Sequence, residues 1–232
     1  MSKKLELREQ RYKTVINKKS KKQELELINA LKNTVAVLEE RFDVTFEHDN
    51  TLNLLSAIES LKKTFKEVDF GSPKPTSRMS PDGGILYLKD KSNEKYPILI
   101  TEVKNQGTND LRLEEGKKKQ AQGNAIERLG KNVIGFRTFL LTENIFPFVT
   151  FGYGCDFADD SSILDRVLTI AMFGKLNTIY VSNTGPNNVF NRGSFFFREP
   201  KWTLQEMENI MTEIATRSIH YYFSKYGESS FK

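Results

Sequence analysis

The chain has 232 residues, with 35 Lys and Arg against 30 Asp and Glu, and a formal net charge of +5. This length predicts one domain with a sizeable core, and the positive charge favours a polyanionic partner. No apolar run approaches the roughly 20 residues that span a bilayer, and the Lys-rich amino terminus lacks a secretory signal's apolar segment. The single cysteine, Cys155, excludes an intramolecular disulfide framework and fits a reducing compartment. We therefore expect a cytoplasmic protein without a membrane partner.

Residues 1–22 form a basic segment, with nine Lys or Arg against two Glu. We expect a separate, flexible arm that is attracted to phosphates; a solubilising tail is the alternative. From Gln23 onward the apolar spacing predicts a helix up to Phe42, and residues 23–232 are expected to form a single domain. A second helix is predicted over residues 52–65, capped by one of Asp49, Asn50 and Thr51.

Residues 81–104 carry the candidate chemistry. Two strands joined by a polar turn are predicted here, and the run from Tyr96 to Ile100 is typical of a strand buried on both faces. Glu102 and Lys104 are two residues apart, so on a strand they point to the same side. The hairpin brings Asp82, at the start of the first strand, close to Glu102.

Two adjacent carboxylates repel each other unless a cation neutralises them, and oxygen ligands of this kind suit Mg²⁺. Asp82 and Glu102 are therefore predicted to bind Mg²⁺, with Lys104 orienting or deprotonating a water molecule for phosphodiester hydrolysis. The alternative is structural, because Asp-Gly-Gly is a common turn and Glu-x-Lys is an ordinary solvated strand face.

The segment after Lys104 is predicted to be a loop that leads to Lys117, Lys118 and Lys119. Three consecutive lysines beside the site suit a DNA backbone; a solvated turn is the alternative. Extended chain is then predicted up to Asn124, followed by a helix to about Thr142. The polar residues Asn124, Glu127 and Arg128 are expected near its first turn, where they can read base edges. The alternative for Glu127 is an ordinary first-turn carboxylate that faces the helix dipole.

Strands and helices alternate through the rest of the chain. Strands are predicted over residues 146–153, 177–181 and 194–197, and a helix over residues 161–173. Thr203 and Glu206 have the spacing of a capping box and open a helix that extends to about Phe223.

Several of these segments together resemble the EcoRI-type restriction endonucleases of the PD-(D/E)XK nuclease class. The likeness covers roughly residues 50–180 and, more faintly, the final helix. The catalytic pattern is shared by many nucleases, whereas the Gly-Asn-Ala-x-Glu-Arg stretch behind it is much more specific. The matching stretches are Pro81-Asp82-Gly83-Gly84-Ile85, Glu102-Val103-Lys104 with Gln106-Gly107, Gly123-Asn124-Ala125-Ile126-Glu127-Arg128, Lys131-Asn132, Phe146-Pro147 and Ser162-Ile163-Leu164-Asp165-Arg166.

The resemblance implies an α/β fold with a central mixed five-stranded sheet flanked by helices. It also implies a homodimer that cleaves both strands of a palindromic duplex with Mg²⁺, leaving 5′-phosphate ends, in a prokaryotic cell that holds a companion methyltransferase. By this likeness, Asp82 and Glu102 bind the metal and Lys104 assists water. The inner AATT bases are read from the segment around the next helix start, and the residues expected to contact DNA are Gln106, Lys117, Lys118, Lys119, Asn124, Ala125, Glu127, Arg128 and Arg166.

Two departures from the family concern the outer base pairs. Thr169 stands where the family's known member has a second arginine, and Gln120 and Gln122 replace less polar residues. The expected site is therefore AATT alone or a six-base site that contains it. The competing functions are a PD-(D/E)XK repair or structure-specific nuclease and a DNA-binding protein without catalysis.

Overall fold

The computed structural model describes residues 13–105, 107–119, 124–159, 161–171, 175–183 and 191–232. Within these ranges, the side chains at 13–21, 105, 107, 108, 124, 125, 162 and 171 lie outside the description. The strands are β1 (Thr45–Asp49), β2 (Leu52–Asn53), β3 (Arg78–Met79), β4 (Gly84–Lys89), β5 (Lys95–Asn105), β6 (Phe148–Tyr153) and β7 (Ser194–Arg198). The helices are α1 (Lys13–Arg41), α2 (Leu54–Thr64), α3 (Gly107–Glu114), α4 (Asn124–Phe139), α5 (Ser162–Ala171) and α6 (Leu204–Tyr226).

A five-stranded sheet forms the centre of the molecule, in the order β1-β4-β5-β6-β7. The pairs β1–β4 and β4–β5 are antiparallel, and the pairs β5–β6 and β6–β7 are parallel. The predicted α/β fold with a mixed, helix-flanked sheet is therefore confirmed. The connection from β5 to β6 contains α3 and α4, as expected because parallel neighbours need a long crossover.

Helices cover both faces of the sheet, and the alternation along β4 shows why. Leu86 and Leu88 pack toward α1 and α6, whereas Ile85 and Tyr87 pack toward α2, α4 and α5. Successive strand side chains point to opposite faces, so a strand that is buried on both faces is apolar throughout. The central part of β5 follows this rule, with Ile98, Leu99 and Ile100 at 0% exposure.

The helix predictions hold with shifted limits. Helix α1 begins at Lys13, so the second half of the predicted arm is helical, while residues 1–12 lie outside the described residues. The division into arm and domain stays a prediction. The predicted cap of α2 at residues 49–51 is wrong. Asn53 caps this helix, and its Oδ1 accepts a hydrogen bond from the N–H of Leu55 at 2.9 Å. The predicted loop after β5 contains α3.

The capping box at Thr203 and Glu206 is confirmed, and α6 extends to Tyr226. Its buried side chains Met207, Met211 and Ile214 pack on the core of this chain, against α1 and the sheet.

The predicted strand over residues 177–181 is wrong. Asn177 has a positive φ of 58°, and its side chain accepts from the N–H of Phe197 at 2.9 Å. The N–H of Tyr180 donates to the hydroxyl of Ser194 at 2.9 Å. The segment runs beside β7, and one backbone bond joins them, from the N–H of Asn177 to the carbonyl of Phe195 at 2.8 Å. The side chains of Asn177 and Ser194 form other bonds in place of a regular backbone ladder.

In the described ranges, no helix is long and apolar enough to cross a membrane.

Candidate active site

The β4–β5 hairpin places the two predicted carboxylates side by side. Gly84 pairs with Thr101, and the N–H of Gly83 donates to the carbonyl of Thr101 at 3.0 Å. This register sets Asp82 beside Glu102. The N–H of Asp82 donates to Glu102 Oε2 at 3.1 Å, and the N–H of Val103 donates to Asp82 Oδ2, also at 3.1 Å.

The two glycines after Asp82 allow this close approach. A Cβ at Gly83 would lie 2.1 Å from Thr101 Oγ1. Gly84 has a φ of +78°, and a Cβ there would lie 2.4 Å from His48 Nε2. A side chain at Gly83 would push the turn away from β5, and one at Gly84 would collide with His48 and the carbonyl of Asp49 on β1. The Asp-Gly-Gly sequence is thus needed for the geometry, whatever chemistry follows from it.

Lys104 joins the two carboxylates. Its Nζ lies 3.2 Å from Asp82 Oδ2 and also contacts Glu102 Oε1. Glu102 and Lys104 point to the same side of β5, the side that α4 covers, as their spacing predicts. Their side chains are 2% and 15% exposed, whereas the side chain of Asp82 is 27% exposed. The cluster is therefore buried at Glu102 and open toward solvent at Asp82.

Burial is unfavourable for the charged forms of the residues in this cluster, and it shifts their pKa values. Burial raises the pKa of Glu102, attraction to Lys104 opposes this, and the neighbouring charge of Asp82 adds to the increase, so the pKa is raised overall. Burial alone would lower the pKa of Lys104, but its attraction to Glu102 and Asp82 dominates and raises it. With both carboxylates ionised, one lysine neutralises only half of the negative charge. The site therefore favours a further cation.

The two carboxylates fit a magnesium ion by their chemistry. Among the described residues, no group of three or more His, Cys, Asp or Glu side chains lies together as a metal site. Mg²⁺ does not need such a group, because it is commonly held by one or two carboxylates, with waters and substrate phosphate oxygens as its other ligands. Asp82 and Glu102 supply that minimum, and the Lys104 ammonium beside both shows that a cation can approach the pair.

The sequence did not predict a role in the site for two residues beside this cluster. Asn132, on α4, donates from Nδ2 to Glu102 Oε1 at 3.1 Å. The sequence contained an indication of this role, because Lys131-Asn132 matches the family and Asn132 lies two helical turns after Asn124. His48 Nε2 lies 2.9 Å from the carbonyl oxygen of Gly83 and donates to it, since a carbonyl only accepts. No pattern in the sequence singles out His48.

The predicted base-reading residues lie on and around α4. Glu127 and Arg128 are exposed in its first turns. Asn124 and Ala125 begin the helix, and their side chains are outside the described part. Arg128 and Asn132 are four residues apart, so they lie on one side of the helix. Asn132 contacts the Glu102 carboxylate.

The other predicted DNA contacts lie on separate segments. Arg166 is exposed on α5, and Gln106 is outside the described residues. Lys117, Lys118 and Lys119 follow α3 and are exposed. Lys117 pairs with Glu115, and Lys119 donates to the carbonyl of Cys155 at 3.0 Å. The contacts of all these residues with DNA stay predictions.

Comparisons with known proteins identify the family to which this chain belongs. The family described as restriction endonuclease EcoRI matches residues 9–163. The type II restriction enzyme RsrI of Cereibacter sphaeroides is 30% identical over 178 residues, which are 62% of this chain and 64% of that enzyme. The type II restriction enzyme EcoRI of Escherichia coli is 30% identical over 131 residues, 53% of this chain and 47% of that enzyme. The chain thus spans less than two thirds of the length of these relatives. Since the family match covers more than half of the chain, the chain belongs to the EcoRI restriction endonuclease family.

Proposed function

We propose that this protein is a type II restriction endonuclease that hydrolyses both strands of a palindromic DNA duplex in a Mg²⁺-dependent reaction. The observation that carries the proposal is the contact among Asp82, Glu102 and Lys104 at the end of β5, in a member of this family. The related enzymes RsrI and EcoRI are both type II restriction enzymes. The positive net charge of the chain suits a polyanionic substrate.

Each residue of the site has its own role in the proposed reaction. Asp82 and Glu102 would hold Mg²⁺, which supplies electrostatic stabilisation of the charge that develops on the phosphate oxygens. Lys104 holds its ammonium beside both carboxylates and orients the attacking water. Attack forms a bond between the water oxygen and phosphorus, and the bond from phosphorus to the 3′ oxygen breaks. The 3′ oxygen takes up a proton, so the products are a 5′-phosphate and a 3′-hydroxyl.

The target that we propose contains AATT, read from the start of α4. The support is the Gly-Asn-Ala-x-Glu-Arg stretch at residues 123–128 and the exposure of Glu127 and Arg128. Asparagine can pair with the edge of adenine, and arginine can donate to purine acceptors in the major groove. Asn124 and Arg128 have these roles in our proposal.

A homodimer is the assembly that we propose, because a two-fold protein presents two identical sites to the two strands of a palindrome. Exposed apolar side chains on the described surface are consistent with this. Ile134 on α4 is 59% exposed, and Leu141, in the turn after that helix, is 52% exposed.

The test is to digest a DNA of known sequence with purified protein and Mg²⁺ and to sequence the ends. Ends that all carry a 5′-AATT overhang are the expected result, and the neighbouring bases then give the flanking pair. Specific ends without AATT would keep the catalytic assignment and refute the recognition assignment. Random or end-dependent cleavage would favour a repair nuclease, and specific binding without cleavage would favour a binding protein.

A further inference from the structure

We propose that Asn132 is a positioning residue whose side-chain amide sets the orientation of the Glu102 carboxylate. The inference rests on the proposed function, because the carboxylate matters for cleavage only if Glu102 holds the metal. Asn132 lies on α4, and its Nδ2 is 3.1 Å from Glu102 Oε1. An ionised carboxylate only accepts hydrogen bonds, so the amide must turn its NH₂ group toward Glu102.

The donors on Glu102 are of two kinds. Two are neutral: the N–H of Asp82 donates to Oε2 at 3.1 Å, and Asn132 donates to Oε1. The third is the ammonium of Lys104, which contacts Glu102 Oε1 and also Asp82 Oδ2. One neutral donor on each oxygen fixes the plane of the carboxylate. The Lys104 side chain is a point charge on a flexible stem and cannot fix that plane by itself.

The neutral contact matters most when a divalent cation is bound. Lys104 would be repelled by such a cation at Asp82 and Glu102, whereas the amide of Asn132 carries no charge and would keep its hydrogen bond. The Glu102 side chain is 2% exposed, so little water is at hand to replace a lost donor. Without Asn132, Oε1 would lose its neutral partner and the carboxylate would be free to turn. Small errors in the placement of reacting groups can reduce rates by about 100-fold.

The chain offers a matched control for this contact. Asn33 Nδ2 donates to Glu208 Oε2 at 2.9 Å, between α1 and α6. The chemistry is the same as in the Asn132–Glu102 pair, an asparagine amide on a glutamate carboxylate. The Asn33 contact is exposed, and α1 and α6 cover the other face of the sheet from α4. A loss that follows from removal of any such hydrogen bond would appear in both variants.

The experiment compares the wild type with Asn132→Ala, Asn132→Gln and Asn33→Ala. Three quantities are measured: the single-turnover cleavage rate of the cognate duplex, the dissociation constant of Mn²⁺ from electron paramagnetic resonance, and metal-free duplex binding from fluorescence anisotropy. We expect Asn132→Ala to weaken Mn²⁺ binding and to slow cleavage by about 10–100-fold each, the usual effect of removing a partner of a metal ligand. Metal-free duplex binding should change by less than about twofold, because a neutral donor adds little to phosphate attraction.

Asn132→Gln retains an amide, so it should recover part of the lost Mn²⁺ affinity, and Asn33→Ala should match the wild type. Wild-type Mn²⁺ affinity and cleavage in Asn132→Ala would overturn the proposal. So would an equal loss in Asn33→Ala, or a loss of metal-free duplex binding as large as that of cleavage. If the wild type itself does not cleave, the proposed function fails, and the Mn²⁺ comparison still decides whether Asn132 positions Glu102.

Discussion

Two glutamates of this protein have similar numbers of hydrogen bonds and opposite electrostatics. Glu206 accepts two bonds from Arg198, at 2.8 and 2.6 Å, and one each from the N–H and the hydroxyl of Thr203, both at 2.8 Å. These contacts, led by Arg198, lower its pKa to about 2. Glu102 accepts three bonds, but burial raises its pKa.

The difference between them is burial and a second carboxylate. The side chain of Glu206 is 41% exposed and meets one arginine, so its charge is both solvated and balanced. Glu102 is 2% exposed and shares one lysine with Asp82, so its charge would be neither solvated nor fully balanced. Ionised Glu206 therefore stabilises the fold, whereas the surroundings of Glu102 oppose its ionised form. An ionisable group whose pKa is shifted by burial and a specific charged neighbour is a mark of a functional site.

The largest expected effect is that of Glu102→Gln on cleavage. The change keeps the shape of the side chain and removes a metal ligand's charge, so we expect the cleavage rate to fall by at least about 10³-fold, or about 4 kcal/mol. The metal-free protein should be at least as stable as the wild type, because the amide has no ionised form to bury. Single-turnover cleavage and urea unfolding measure the two effects. Cleavage near the wild-type rate would mean that the site is elsewhere.

Added Mg²⁺ should separate the two glutamates in a second way. A ligand that binds only the native state stabilises it by about 1.4 kcal/mol at roughly ten times its Kd. We expect Mg²⁺ to raise the thermal midpoint of the wild type and of Glu206→Gln, and to leave that of Glu102→Gln nearly unchanged. Differential scanning fluorimetry across a Mg²⁺ series measures this. Equal increases in all three proteins would place the cation away from Glu102.

The hydrogen-bonding partners of Glu206 predict a smaller effect in the opposite direction. Glu206→Gln removes the charge that pairs with Arg198 and weakens the capping box, so the free energy of unfolding should fall by about 1 kcal/mol. Cleavage should be unchanged. The control is Glu213→Gln, whose exposed pair with Arg217 at 2.7 Å should contribute only about 0.3 kcal/mol. Chemical denaturation measures both, and equal losses would mean that the cap contributes nothing beyond an ordinary surface pair.

The two glutamates also show what a sequence can predict. The capping box at Thr203 and Glu206 is readable because its bonds join residues three apart. The cluster of Asp82, Glu102 and Lys104 is readable because one hairpin and the two-residue period of a strand suffice to bring it together. Four strands of the sheet, β4 to β7, are predicted for the same reason, since each carries its own apolar pattern, whereas the edge strand β1 is not predicted.

What could not be predicted depends on distant contacts. The contact from Asn132 to Glu102 joins residues 30 apart and requires the packing of α4 on β5. The segment at residues 177–181 has a composition suitable for a strand, but side-chain bonds of Asn177 and Ser194, to residues 14 to 20 positions away, replace part of its backbone ladder. The short helix α3 lacks a clear apolar period, so its charged sequence is typical of a loop.

The smallest expected effect is a difference in how stability depends on pH in the metal-free protein. The pKa of Glu206 falls from 4.5 to about 2 on folding, so its contribution is present above about pH 4.5 and is lost as the pH falls toward 2. The pKa of Glu102 is raised on folding, so its neutral form is favoured, and stability declines as the pH rises through that raised value. The stability difference between wild type and Glu206→Gln should therefore grow with pH, and that between wild type and Glu102→Gln should shrink or change sign. Urea unfolding of the three proteins from pH 3 to 7 measures both differences, and each variant serves as the other's control. Two curves with the same slope would show that burial and Asp82 do not oppose the charge of Glu102, and the contrast between the two glutamates would then be lost.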